Sequence, residues 1–407
     1  MDFFNVVSIE EGKKLMHDNL NISLNTEYVD ILNSTDRIMG EDIISNENVP
    51  GFDRSTVDGY AIKSHDSHGA SSALPSFLDL KGEVDMGKEA DMKISSGQAV
   101  YVPTGGMLPE GADGVVMIEH VEKMDKENIL IYKSISSGEN VVFKDDDIKV
   151  GQLLLEKGKR ITPQDIGVLA SLGISKINVY KKPKFYIIST GDEIIEIDEE
   201  IQRGKVRDIN SYVLYSMIQK LGGEVVNRTI VKDNFELLKS EVEMGIDSSD
   251  MVILSGGSSV GVRDFTHTVI NSFEGRGVFI HGMSIKPGKP TIVGEAKGKG
   301  IIGLPGHPVS SIIVFKVLVE EYIRDKMKIK EEKNKTRAIV DFNFPSSPGK
   351  TTFQMVSLEE REGKLYAVPN FGKSGMITLL SKSSGYIKIG LHEEGVYKGE
   401  DRTVYFL

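Results

Sequence analysis

The spacing of apolar and polar residues changes rhythm several times along the chain. Near the start, Ser8 with Glu11 three residues later reads as a capping box, and the pattern behind it predicts a helix over residues 10–20. From residue 47 to about 147 the chain turns to short alternating runs, such as Gln98–Val102 and 114–118, cut by Gly/Pro turns; these predict strands. Between residues 148 and 182 the pattern is helical again, with Thr162 as N-cap, Pro163 at the first helical position and Gly173 placed to close the helix. The β-rich stretch therefore reads as an insertion, with the piece after it returning to pack with the N-terminal helix. From 183 to 330 strands and helices alternate. The runs 185–189, Glu224–Val231 and 251–254 predict strands; 211–221 (with Gly222-Gly223 behind it), 235–244 and 308–325 predict helices. That rhythm implies an α/β domain whose parallel sheet is covered by helices on both faces. The lysine-dense stretch 326–335 reads as a solvated linker, and 337–407, with short alternating runs and turn residues, as a small β-barrel or sandwich. Four domains are expected: a discontinuous N-terminal/linker domain (1–46 and 148–182), an inserted β-rich domain (47–147), an α/β domain (183–330) and a C-terminal β domain (331–407).

A chain of 407 residues exceeds what one core supports, in keeping with that division. No apolar run approaches the roughly 20 residues of a membrane span. The N-terminus MDFFNVVSIEEGKK has no basic region followed by an apolar stretch, so neither a membrane segment nor a secretory signal is expected. The absence of cysteine excludes disulfides, thiolate metal sites and a cysteine nucleophile, and fits a reducing, cytoplasmic setting. A net charge of −11 argues against a general nucleic-acid binder. It also requires that a polyanionic substrate be held by local Lys, Arg and backbone N–H groups against the overall field.

In open parallel sheets ligands sit beyond the carboxyl ends of the strands, which directs attention to four turns. Ser189-Thr190-Gly191-Asp192-Glu193 follows the strand at 185–189: small hydroxyl residues and Gly let backbone approach a phosphate, and two adjacent carboxylates suit a divalent cation. Ser255-Gly256-Gly257-Ser258-Ser259-Val260-Gly261, followed by Asp264, is a plausible anion cradle opening towards a helix. Lys286-Pro287-Gly288-Lys289-Pro290 holds two lysines three apart on proline-restricted backbone. Leu304-Pro305-Gly306-His307-Pro308-Val309-Ser310-Ser311 begins the long helix, where backbone N–H groups and the helix dipole favour an anion. Singly, each is an ordinary turn, and His307 reads as incidental; at consecutive strand ends of one α/β unit, they read as a site. Other chemistries lack support. Gly82 to Lys88 has P-loop spacing but Glu89 stands where a Ser or Thr would hold magnesium, and no GxGxxG, HExxH or GxSxG element appears.

Together these turns resemble the molybdopterin molybdenumtransferase family (MoeA in bacteria, the gephyrin E-domain in animals). Two upstream stretches are similar too. Pro50-Gly51-Phe52-Asp53-Arg54-Ser55-Thr56-Val57-Asp58-Gly59-Tyr60-Ala61 looks like the family signature PGFDxSxxDGYA, and Thr104-Gly105-Gly106 with the following Pro109 to Asp113 looks like its TGAxxPxGxD turn. The resemblance implies a four-domain chain with a MoaB/Mog-like α/β domain, acting as a homodimer. It also implies the reaction: adenylylated molybdopterin is hydrolysed with Mg²⁺, AMP is released, and molybdate enters the dithiolene.

Carried over residue by residue, the resemblance expects Asp192, Glu193, Asp233 and Asp264 to hold Mg²⁺, with Asp58, Glu193, Asp233 and Asp264 as the catalytic carboxylates. Ser189, Thr190, Gly191, Asp208, Ser255, Gly256, Gly257, Ser259, Gly261, Pro305 and Gly306 would contact the nucleotide-activated pterin. Lys286, Lys289 and Ser310 would take the oxyanion. Asp58 and Thr104 would reach the site from the facing subunit, and Asp208 with Asn210 (the family's D-x-N element) would chiefly shape the cleft. Some positions depart from the family. Val142 and Asp145 stand where Arg and Gly are frequent, and Lys350 and Met355 where two arginines are frequent; Lys144, Lys350 and Lys373 could compensate as point charges without arginine's bidentate fork. Ser374 matches a family serine at the dimer cleft. The competing expectations are a non-catalytic scaffold of the same fold, the related pterin adenylyltransferase, and a tungstate-inserting variant.

Overall fold

The computed structural model describes residues 6–22, 24–256, 260–330 and 334–407, and, within 260–264, the backbone alone. Ser8 caps helix α1 (Ile9–Asn19), its hydroxyl accepting from the Glu11 amide at 3.1 Å. This helix buries Ile9, Gly12 and Met16. The buried side chains enter the same core as Phe185 and Leu318 of the α/β domain. At its C-terminal end the buried Tyr322 hydroxyl donates to the Leu20 carbonyl at 2.7 Å. The helix thus belongs to the α/β core, a change from the expected packing. The chain's return is made by strands instead: Thr26–Asp30 pairs antiparallel with Lys176–Tyr180, and Ile43–Ile44 with Leu153–Leu155. Between them lies a six-stranded sheet running from Gly59–Ile62 to Asn128–Ile131.

Helix α2 (Pro163–Ser171) starts with a reciprocal capping box between Thr162 and Asp165. Asp165 is buried, yet Lys159 and Thr162 bind its carboxylate. Burial would raise its pKa, but those partners outweigh it and hold the group below the ordinary carboxylate value. A depressed folded pKa contributes stability that is complete above the unfolded value and is lost as pH falls through the folded one. Asp165→Ala should therefore cost about 2 kcal/mol near neutrality. Urea melts should show that difference shrinking below about pH 4; a gap that persists in acid would contradict this.

The α/β domain is built on strands β1 (Lys184–Thr190), β2 (Glu224–Val231), β3 (Met251–Gly256), β4 (Gly277–His281), β5 (Ile292–Ala296) and β6 (Lys299–Leu304), in the order β2-β1-β3-β6-β5-β4. The first four of that order are parallel; β5 is antiparallel to both neighbours, so the sheet is mixed at one edge. Successive side chains of a strand point to opposite faces. Phe185 and Ile187 accordingly join a core with α3 (Asn210–Leu221), while Tyr186 and Ile188 join one with α4 (Phe235–Ser248) and α5 (Val260–Asn271). Burial of both faces accounts for the near-continuous apolar runs. The last helix runs α6 (Pro308–Val314), a π-helical stretch Phe315–Glu320, then α7 (Glu321–Lys326).

In the segment after it Lys328, Lys330 and Lys335 are exposed, as expected of a solvated stretch, but its start is docked. Met327 is buried, Lys330 ion-pairs with Glu156, and Lys335 already begins the strand Lys335–Val340. Residues 331–333 lie outside the described residues. Five strands, Thr351–Arg361, Lys364–Pro369, Lys335–Val340, Asp401–Phe406 and Gly385–Ile389, close into a barrel. A short strand from the α/β domain, Ile285–Lys286, adds to it by pairing parallel with Thr351 and Thr352. This pairing carries the KPGKP turn across to the barrel and positions the site.

Candidate active site

Four strand ends of the sheet, those of β1, β2, β3 and β6, open into a cavity of about 410 Å³. Ser189, Gly191, Glu193, Asp208, Asp233, Ser255, Gly256 and Gly306 line it, as expected from the turns. Gly191 is required for the seat of Glu193: at φ 152° its missing Cβ leaves room that the Glu193 carboxylate fills, 2.8 Å from where a Cβ would stand. Gly256 at φ 137° lets β3 pass the Thr190 carbonyl, which a Cβ would meet at 2.1 Å. Thr190 itself is buried behind the wall rather than lining the cavity.

The carboxylates divide by environment. Asp208 is buried and fully engaged. It accepts from the Ser211 amide at 3.1 Å and the Ser211 hydroxyl at 2.5 Å, with Arg228 at 3.6 Å. It braces the entrance to α3 while lining the cavity. Asp233 is different. Its backbone N–H donates to Asp192 at 3.3 Å, and burial, then the charges of Asp192 and Glu193, push its carboxyl above the usual carboxylate range. One Asp233 oxygen, the Ser189 hydroxyl and the Asn210 side-chain oxygen are buried without a hydrogen-bond partner among the described residues. Buried polar atoms are normally satisfied, so orphaned ones around one cavity mark where a ligand's polar groups belong. Asn210 is fixed for this by donating to Ser255 Oγ at 2.9 Å and to the Gly306 carbonyl at 2.7 Å.

Among the described residues no three Asp, Glu or His side chains converge closely enough to hold a metal alone. Mg²⁺ commonly takes one or two carboxylates and completes its shell with water and phosphate oxygens. Asp233 with its acidic neighbours fits that requirement. Gly257 and Ser259 lie outside the described residues. Gly261 and Asp264 fall on α5, but their side chains lie outside the described residues too.

A second cavity, of about 800 Å³, lies between the α/β domain and the barrel. Lys286, Lys289, Pro305 and Ser310 line it from one side, and Lys350, Gln354, Met355, Lys373 and Ser374 from the other. Its described lining includes four lysines and no Asp or Glu. Lys286 Nζ donates to Ser347 Oγ at 2.7 Å, which holds the ammonium at the mouth of the cavity. The two positions where arginine is frequent in the family both line this wall, as Lys350 and the buried Met355. The barrel's share of this lining goes beyond the positions the sequence points to, and His307, which in sequence is an ordinary helix-entry residue, lines both cavities.

Asp58 and Thr104 find each other but neither cavity. Asp58 accepts from the Thr104 amide at 2.7 Å and hydroxyl at 3.1 Å on an exposed face of the inserted domain. No residue of 47–147 lines either cavity. Nearby, Asp145 takes a left-handed conformation at φ 65°, which accounts for the frequent Gly at that position: Asp tolerates this region better than most residues.

Residues 7–173 match the MoeA N-terminal region (domain I and II), residues 186–325 the "Probable molybdopterin binding domain", and residues 337–407 the MoeA C-terminal region (domain IV). The chain is 34% identical to a molybdopterin biosynthesis protein of Methanocaldococcus jannaschii, over 99% of this chain and 98% of the relative. It is 31% identical to the molybdopterin molybdenumtransferase of Haemophilus influenzae, over 98% of each. A crystal structure of the MoeA protein from Pyrococcus horikosii superposes with a TM-score of 0.85 at 36% identity, covering 99% of both chains. These matches define a transferase of molybdenum-cofactor biosynthesis. The chain belongs to the molybdopterin molybdenumtransferase (MoeA) family. Among the described residues no helix is long and apolar enough to cross a membrane.

Proposed function

We propose that the chain inserts molybdate into adenylylated molybdopterin with Mg²⁺-dependent release of AMP, as a cytoplasmic homodimer. The observation that carries this reading is the pairing of an acidic cavity with a lysine-lined one on the two sides of a single turn, residues 304–311. A phosphoanhydride is cleaved by charge neutralisation and alignment more than by covalent help from the protein. Held by Asp233 and Glu193, with Asp192 beside them and Asp264 assigned to the same ion by the resemblance alone, Mg²⁺ would neutralise the phosphate oxygens. Ser189 and Asn210 offer their orphaned polar atoms to the nucleotide-activated pterin, and Gly191 and Gly256 let the cavity wall form by seating Glu193 and the Thr190 carbonyl. Lys286, Lys289, Lys350 and Lys373 supply the positive field for a tetrahedral dianion, with Ser310 as a neutral donor. Lysines select for charge rather than planar shape, so tungstate is the alternative cargo. Asp58 and Thr104, paired and exposed, are assigned to the cavity of the facing subunit.

The test is to incubate the purified chain with adenylylated molybdopterin, Mg²⁺ and molybdate. AMP should appear together with molybdenum cofactor, and chelation should stop both. An adduct left intact under these conditions would refute the proposal.

A further inference from the structure

Among the described residues His307 alone lines both cavities, and it does so from the turn that separates them. Its Nδ1 lies 2.9 Å from Ser374 Oγ, on the barrel side of the lysine-lined cavity. A second bond runs alongside: the Val309 amide donates to the Ser374 carbonyl at 3.1 Å. The packing is close, since a Cβ on Gly375 would stand 3.8 Å from the imidazole Cδ2. Ser374 is therefore held to the head of the last helix through both its backbone and its side chain.

A serine hydroxyl has one proton to give. If the imidazole accepts that proton, Ser374 presents only lone pairs to the cavity and repels an oxyanion. If Nδ1 carries hydrogen and donates to Ser374 Oγ, the hydroxyl proton is left for the anion. The field acting on the imidazole comes from both sides. Lys286, Lys289, Lys350 and Lys373 line one cavity, and Glu193, Arg207, Asp208 and Asp233 line the other. An oxyanion in the lysine cavity favours the donating form, because a second donor then faces it.

We infer that His307 is a positioning residue for oxyanion binding: it donates to Ser374 Oγ and so turns the Ser374 hydroxyl outward as a donor in the lysine-lined cavity. This rests on the proposed oxyanion role of that cavity and adds a residue to it. Nothing in the inference requires His307 to touch the substrate.

The test uses the full chain and molybdate alone, by isothermal titration, without the pterin. His307→Ala and Ser374→Ala should each weaken molybdate binding by about 10- to 150-fold, the range of one hydrogen bond to a charged group. The double variant should be no weaker than either single one, since both remove the same donor. His307→Asn keeps a donor facing Ser374 and should recover most of the affinity, whereas His307→Asp, an acceptor with added charge, should lose more than His307→Ala. Melting temperatures of the five variants establish that folding is intact. Additive losses, or no loss in His307→Ala, would overturn the inference while leaving the function standing, and so would failure of His307→Asn to recover. Absence of molybdate binding by the wild-type chain would overturn the oxyanion role itself, and this inference with it.

Discussion

Asp233→Asn is expected to lower AMP release by on the order of 10²-fold or more while leaving the protein at least as stable as wild type. The first half follows from charge. A metal-held phosphate transition state gains several kcal/mol from its cation, and about 3 kcal/mol corresponds to that factor in rate. The second half follows from the sign of the pKa shift. Burial and the neighbouring Asp192 and Glu193 raise the Asp233 carboxyl above its unfolded value. An acid raised in this way is ionised in the fold at a cost, at every pH above its folded pKa, and that cost disappears as pH falls and the group protonates. A neutral Asn removes the cost, so a melting temperature unchanged or higher by about 2–4 °C is expected, the size of a ~1 kcal/mol effect in a domain of this length. Asp208→Asn gives the contrast. Its carboxylate is already satisfied by Ser211 and faces Arg228, so the loss should appear in stability before it appears in turnover. If Asp233→Asn unfolds the domain, or leaves AMP release within a few-fold of wild type, the assignment of Asp233 to the cation is wrong.

That contrast separates what could be read along the chain from what could not. Asp208 and Asp233 are both single acids near strand ends, and no local pattern distinguishes a brace from a ligand. The difference arises from Ser211, three residues on at the head of α3, and from Arg228, which only β2 brings to Asp208. The turns themselves were legible because a buried strand followed by Gly, Ser and Asp has few other uses, and four of them fell on one α/β unit. Most of the acidic cavity followed from that. The lysine-lined cavity was half legible: Lys286 and Lys289 stand in a recognisable turn, but their partners on the barrel depend on Ile285–Lys286 pairing with Thr351 and Thr352, a contact across 65 residues of chain. His307 had no signal, since its role depends on Ser374. The N-terminal helix was correctly expected, with its cap, yet its packing partner was not. An amphipathic face specifies that it is buried, not against what.

Composition at residues 326–335 shows the exposed lysines but not the docking of Met327 and of the Lys328 backbone, and the consequence is measurable: Gly158→Ala should destabilise the protein by about 3 kcal/mol or more. Gly158 sits at φ 84° in the linker domain, its amide donating to the Met39 carbonyl at 2.9 Å. Added there, a Cβ would lie 1.9 Å from the Lys328 carbonyl oxygen and 2.7 Å from its carbon, both backbone atoms without a rotamer to yield. The neighbouring Lys330 amide approaches the Gly158 carbonyl at 3.4 Å, and Lys330 pairs with Glu156. Together with the buried Met327, these contacts dock the end of the last helix against the linker domain. A clash at that seam should loosen the two units from each other, so thermal unfolding followed by calorimetry should broaden or split as well as shift. Gly151 supplies the control. It has nearly the same φ, 83°, but nothing lies within 4 Å of its Cβ position, so Gly151→Ala should cost only the backbone strain of about 1–2 kcal/mol. Neither glycine lines a cavity, so AMP release measured well below the transition should be retained by both variants. Equal losses of stability in the two would mean that strain alone is being measured, and that the lysine-rich segment is not a clamp.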